Sequence, residues 1–265
     1  MSDSSVLPTT IVPPLDFECL PNYDLLVTED DTPVENIFSE RQAKLLSDSL
    51  HASWSGPGDG RPFQSMSNVG LFYAVKEPCL VPDFLLSLDV EMPDDVWSKE
   101  HRSYFVWNAG KSPDLVIEVV SNKEGGEADV KRRKYAKAGV LYYVIFDPLN
   151  QLQGGVLQVL ALRGRVYVTV PANYLPDIGL GLTLWNGHYA EVRGEWLRWC
   201  DQSGRLLLTG EELAIQERQR ADQEQQRAEE QQQRAEEQQQ RAEEQQQLAE
   251  RLAAQLRSLG VEPAE

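Results

Sequence analysis

Cysteine is scarce in this 265-residue chain: Cys19, Cys79 and Cys200 stand far apart, odd in number and without a Cys-x-x-Cys pair. That excludes a disulfide framework and a thiolate zinc site, and points to a reducing compartment. The three histidines, His51, His101 and His188, are scattered and lack ligand spacing. No window holds the roughly 18 consecutive apolar residues of a membrane span, so no membrane partner is expected. The opening MSDSSVLPTTIVPP has neither a basic start nor a continuous apolar run, unlike a secretory signal. Together these features lead us to expect a cytoplasmic protein. Excess positive charge is missing too. The net charge is −17, and the tail from Glu211 onward, with 14 acidic and 7 basic residues, accounts for −7 of it. The remaining −10 on residues 1–210 argues against a general phosphate-binding surface, although Lys131-Arg132-Arg133-Lys134 forms a local basic cluster. NKEGGE does not follow the Walker pattern, and no nucleophilic serine elbow occurs.

What is present is a globular composition, 41% hydrophobic and 8% aromatic, enough for a packed core. Residues 1–33, rich in Pro, Asp and Thr, read as an extended segment. From 34 to 50 the apolar residues Ile37, Phe38, Leu45, Leu46 and Leu50 recur at helical spacing. After a Gly/Pro loop at 55–62, strand-like runs follow at 69–75, 80–90, 115–120 and 140–148, with a short strand or turn at 103–107. Residues 122–139 read as a loop running into a helix closed by Gly139, and 154–170 as a hairpin around Arg163-Gly164. An aromatic stretch from 183 to 204 closes the core, giving one domain over 34–204. A different kind of sequence occupies 211–259, where Ala214, Ala221, Ala228, Ala235, Ala242 and Ala249 mark a heptad with QRAEEQQ repeats. Alanine and glutamine at the seam make a good helix and a poor coiled coil; the leucines at 248–259 are the better contact for self-association or a protein partner.

One residue breaks the pattern. Glu118 lies in LVIEVV (115–120), otherwise a strand buried on both faces, where a bare carboxylate costs several kcal/mol. Asp114 shares its face but lies about 13 Å along the strand, too far to help. Asp83, in the VPD turn opening the preceding strand, is the better partner. Two carboxylates on adjacent strands repel unless a divalent cation lies between them, and Mg2+ suits so sparse an oxygen site. On the following helix Ala128, Lys131, Tyr135 and Ala138 fall on one face, and Lys131 is its single charge; Glu127 precedes it by four residues. Each residue also has a structural reading: Glu118 buried against a lysine or arginine, Asp83 as a turn aspartate, Lys131 with Glu127 as a helix pair, Glu40 as a solvated helix residue.

The combination is more specific. VPD, then SPDLVIEVVSNKEGGE, then Lys131, Tyr135, Gly139-Val140 and YYVIFDP, resembles the restriction endonucleases of the Uma-two type, within the PD-(D/E)XK nuclease superfamily. The likeness runs from about Asn36 to Trp199. It implies an α/β fold with a restriction-endonuclease-like αβββαβ core and a mixed central sheet, followed here by a long C-terminal helix. It further implies Mg2+-dependent hydrolysis of DNA phosphodiesters, with Mn2+ as a substitute; a homodimer is expected as well. By position Asp83 matches the metal-binding aspartate and Glu118 the acidic residue of the second half-motif, with the Val119 carbonyl as a third ligand. The motif's lysine position is Val120 here, so the resemblance assigns that role to Lys131, with Glu40 as an accessory acid; Glu127 is an accessory candidate through its pairing with Lys131. Two rival readings stand beside it: a nuclease for RNA or branched DNA, and a non-catalytic scaffold whose helical tail is the partner arm.

Overall fold

The computed structural model describes residues 37–120 and 127–258, excepting the side chains of 127, 128 and 256–258. The extended segment expected at 1–33 lies outside the described residues. The chain divides into two units, Met1–Gly210 and Glu211–Glu265.

In the first unit, helix α1 spans Ile37–Ser53 and buries Ala43, Leu45, Leu46 and Leu50, as the apolar spacing predicts. Burying each leucine contributes about 1.5–3 kcal/mol, which is what fixes the helix to the sheet. The sheet strands are β1 (Phe63–Met66), β3 (Phe84–Leu88), β5 (Leu115–Val119), β6 (Tyr142–Phe146), β7 (Leu157–Arg163) and β8 (Val166–Thr169). They lie in the order β1-β3-β5-β6-β7-β8. All pairings are antiparallel except β5 with β6. The β5–β6 crossover carries a π turn (Glu127–Lys131) and helix α3 (Arg132–Ala138). Along the chain α1, β1, β3, β5, α3 and β6 make the expected restriction-endonuclease-like αβββαβ core.

Strands β5 and β6 are buried at every position because both faces of the central sheet are covered. On one face Phe84, Leu86, Leu115, Ile117 and Val119 pack with Leu46 and Leu50 of α1. On the other Leu85, Val116 and Val120 pack with Tyr135 and Ala138 of α3. Strand alternation therefore divides the core into an α1 layer and an α3 layer, and Glu118 must fall in the second.

Some elements differ from expectation. Of residues 69–75 only Leu71–Phe72 is a strand, β2, paired in parallel with β4 (Tyr104–Phe105). A one-turn helix α2 (Val106–Ala109) follows β4. The run has the composition of a central strand but occupies a two-residue ribbon outside the main sheet. The aromatic stretch after residue 180 is a second antiparallel hairpin, β9 (Gly181–Tyr189) with β10 (Val192–Cys200). It sends Leu182, Leu197 and Trp199 into the α1 layer.

The second unit is built on one helix, α4 (Gly210–Ser258), about 70 Å long at the α-helical rise. Its side chains are nearly all exposed from Glu217 to Leu252. The heptad repeats a bond as well as a sequence: Gln225, Gln232, Gln239 and Gln246 each donate to the glutamate four residues on. Such pairs stabilise a helix that is polar all round. No helix among the described residues is long and apolar enough to cross a membrane.

Candidate functional site

Register places the two acids. Phe84 pairs with Ile117 at the end of the antiparallel β3–β5 ladder, and Asp83 and Glu118 are the next residues beyond that pair. Asp83 and Glu118 are each 1% exposed, and the charges of both act on Tyr135 of α3. The Val119 N–H donates to Asp83 Oδ2, so a side chain caps the end of the ladder and fixes the aspartate.

Helix α3 supplies the rest. The Lys131 ammonium donates to Glu118 Oε2 at 2.7 Å, and the Tyr135 hydroxyl donates to Glu118 Oε1 at 2.5 Å. Lys131 and Tyr135 are one helical turn apart, so one helix clasps both carboxylate oxygens. Tyr135 is fully buried, and burial, with the Glu118 and Asp83 charges, pushes its phenol well above the ordinary range. The hydroxyl therefore stays a donor at every physiological pH. Lys131 keeps 29% of its side chain exposed while Glu118 keeps 2%, so the pair sits at the rim with the carboxylate inside. The geometry answers the cost of burying Glu118: two donors, one of them charged, replace its water.

Asp83, Glu118 and Lys131 are thus brought together, with the Val119 backbone at the same strand end. Asp114 serves elsewhere, accepting from the Leu88 N–H and from Lys111 at 2.6 Å. Glu40 is exposed on α1, whose buried side packs on the opposite face of the sheet, and it is not brought to the trio. The side chain of Glu127 lies outside the described residues. Lys131 closes a π turn rather than a regular one, so the helical face drawn through Ala128 does not continue before it. Helical spacing alone makes Tyr135 an apolar face member and misses its polar role. The signal for that role is chemical, since a buried tyrosine, unlike phenylalanine, needs a partner for its hydroxyl.

Among the described residues no three His, Cys, Asp or Glu side chains gather as a ready metal cage. The Asp83 and Glu118 carboxylates are nevertheless both buried at this strand end. Magnesium is suited to such a pair, since that ion takes one or two carboxylates and fills its other positions with water and phosphate.

The profile of a family designated Uma2, "Putative restriction endonuclease", matches residues 28–178. No curated protein matches the chain. The matched span contains α1 through β8, and with them Asp83, Glu118, Lys131 and Tyr135; the β9–β10 hairpin and α4 fall beyond it. The match covers more than half of the chain and coincides with the αβββαβ core, so the chain belongs to the Uma2 family, a PD-(D/E)XK-type group.

Proposed function

We propose that this chain is a metal-dependent endonuclease that hydrolyses phosphodiester bonds of DNA. The carrying observation is that Asp83 and Glu118 are both buried at the end of the β3–β5 ladder, with Asp83 bonded to the Val119 N–H and Lys131 at 2.7 Å from the glutamate. Asp83, Glu118 and the Val119 carbonyl would hold Mg2+, or Mn2+ in its place. Such an ion, when bound, polarises the scissile phosphate and acidifies a water. The remaining chemistry belongs to the protein. The Val119 N–H sets the Asp83 rotamer, and the Tyr135 hydroxyl holds the Glu118 oxygen that Lys131 does not. Lys131 places a fixed positive charge at the rim, where it neutralises charge developing on a phosphate.

The test is plasmid nicking by purified protein with Mg2+ or Mn2+, alongside RNA and single-stranded DNA. Wild type is expected to nick DNA with metal and not with EDTA. Glu118→Gln and Lys131→Met are expected to lower cleavage by at least about a hundredfold, the scale of removing one charge-stabilising group. Absence of metal-dependent cleavage on any substrate overturns the proposal. One observation favours a non-catalytic scaffold: Lys131 and Glu118 already form the closed ion pair a purely structural role would need. Calorimetric titration with Mg2+ separates the two, because a scaffold gives no heat that Asp83→Asn abolishes.

A further inference from the structure

A groove of about 430 Å3 runs beside α3 on its β8 side, lined by Arg132, Arg133, Arg165, Asp129, Val166 and Tyr167. Three arginines line it from two parts of the fold. Arg132 Nη2 donates to the Tyr167 carbonyl at 2.7 Å, which ties α3 to the edge strand. Arg133 Nε donates to the Asp129 carbonyl at 3.0 Å. Both bonds go to main-chain oxygens, and among the described residues no carboxylate forms an ion pair with any of the three arginines. Lys137, farther along α3, contrasts with them: it is neutralised by Glu77 at 2.7 Å.

Three like charges crowded into one groove repel one another. In a chain of net charge −17 they could have been matched by acids at little cost, yet among the described residues Asp129 is the one acid lining the groove. The crowding is relieved by a multivalent anion. Arginine rather than lysine at all three positions favours planar, bidentate recognition of phosphate oxygens. Position favours nucleic acid, because Arg132 follows Lys131 directly. An aromatic row, Tyr135–Tyr143 at 5.1 Å and Tyr143–Tyr167 at 5.8 Å, spans the distance from Glu118's hydroxyl partner to the groove wall.

We infer that the Arg132–Arg133–Arg165 groove is a backbone-binding subsite, taking the sugar-phosphate chain of a nucleic acid at a position flanking the Asp83–Glu118 centre. The inference rests on the nuclease reading for the purpose of that contact, and binding can be measured without cleavage.

The experiment is fluorescence anisotropy with a short labelled DNA duplex in EDTA, using the full chain carrying Glu118→Gln. Adding Arg133→Glu and Arg165→Glu, both at exposed positions, is expected to weaken binding at least about tenfold at low salt. The slope of log K against log salt should fall by about 2, close to 0.9 for each phosphate that is no longer neutralised. Reversing Arg218 and Arg220 on α4 changes net charge equally and is expected to alter affinity less than about twofold. Equal weakening by the two pairs, or none by the groove pair, overturns the subsite. So does competition by a free nucleoside triphosphate as strong as by the duplex, which would make the groove a mononucleotide site. A wild-type chain that fails to cleave yet shows the groove-specific weakening separates failure of the nuclease reading from failure of this one. Thermal unfolding of each variant at the wild-type temperature confirms that the fold is unchanged.

Discussion

Asp83 does two things at once, and substitutions can separate them. Its Oδ2 takes the N–H of Val119, a buried donor at the end of the β3–β5 ladder. Asp83→Ala leaves that donor unpaired, which costs about 1–3 kcal/mol. Asp83→Asn keeps an acceptor there and removes the charge. Urea denaturation should therefore show Asp83→Ala clearly destabilised and Asp83→Asn within about 1 kcal/mol of wild type, with both inactive in the nicking assay. Equal stability of the two would mean that the Val119 bond contributes nothing. At this scale the chain's pattern is informative: a glutamate inside an apolar strand demands partners, and residue type and spacing point to Asp83 and Lys131, while Val119 enters only through the resemblance. They do not point to Tyr135 as a polar partner, because on a helical wheel it looks like any aromatic core residue. Glu40 has only resemblance behind it, and face alternation puts its helix on the other layer.

Among the elements, α3 is short and depends on its ends. Gly139 closes it at φ 80°, and its N–H returns to the Ala136 carbonyl. An added Cβ would meet Ser112 Oγ at 3.4 Å in a backbone region that L residues avoid. Gly139→Ala is expected to cost about 1–2 kcal/mol by urea denaturation; an unchanged midpoint would show that the helix end readily rearranges. Helix boundaries of this kind are written locally, as a glycine after a periodic run, which is why α1 and α3 are legible from spacing. The β9–β10 hairpin is not, because its turn at Ala190-Glu191 uses positive φ at two non-glycine residues and bears no usual turn signature. In α4, Leu248 and Leu252 are 58% and 50% exposed, whereas the preceding seam offers only alanine and glutamine. We expect weak association through this end. Sedimentation equilibrium should show a concentration-dependent dimer that Leu248→Glu with Leu252→Glu converts to monomer.

For the molecule as a whole, four tyrosines set the alkaline limit. Burial pushes Tyr104 and Tyr142 up to about 12, and it raises Tyr135 and Tyr167 as well. All four are neutral in both folded and unfolded chains well below pH 10. Above that the unfolded chain loses its phenolic protons first, so stability falls between about pH 10 and 12, by up to about 1.4 kcal/mol per pH unit for each tyrosine. Urea midpoints at about pH 8, 9 and 11 should be flat over the first step and drop over the second; a flat profile would mean that these rings reach water. Three of the four, Tyr104, Tyr135 and Tyr167, belong to the α3 layer, the same stratum that holds the paired acids. That stratum also holds Val120, 3% exposed, where the superfamily pattern has its lysine. Because valine there is wedged among buried apolar neighbours, returning the ammonium to the strand would mean evicting part of the hydrophobic filling. Val120→Lys is therefore expected to loosen this layer before it could add any charge to the paired acids.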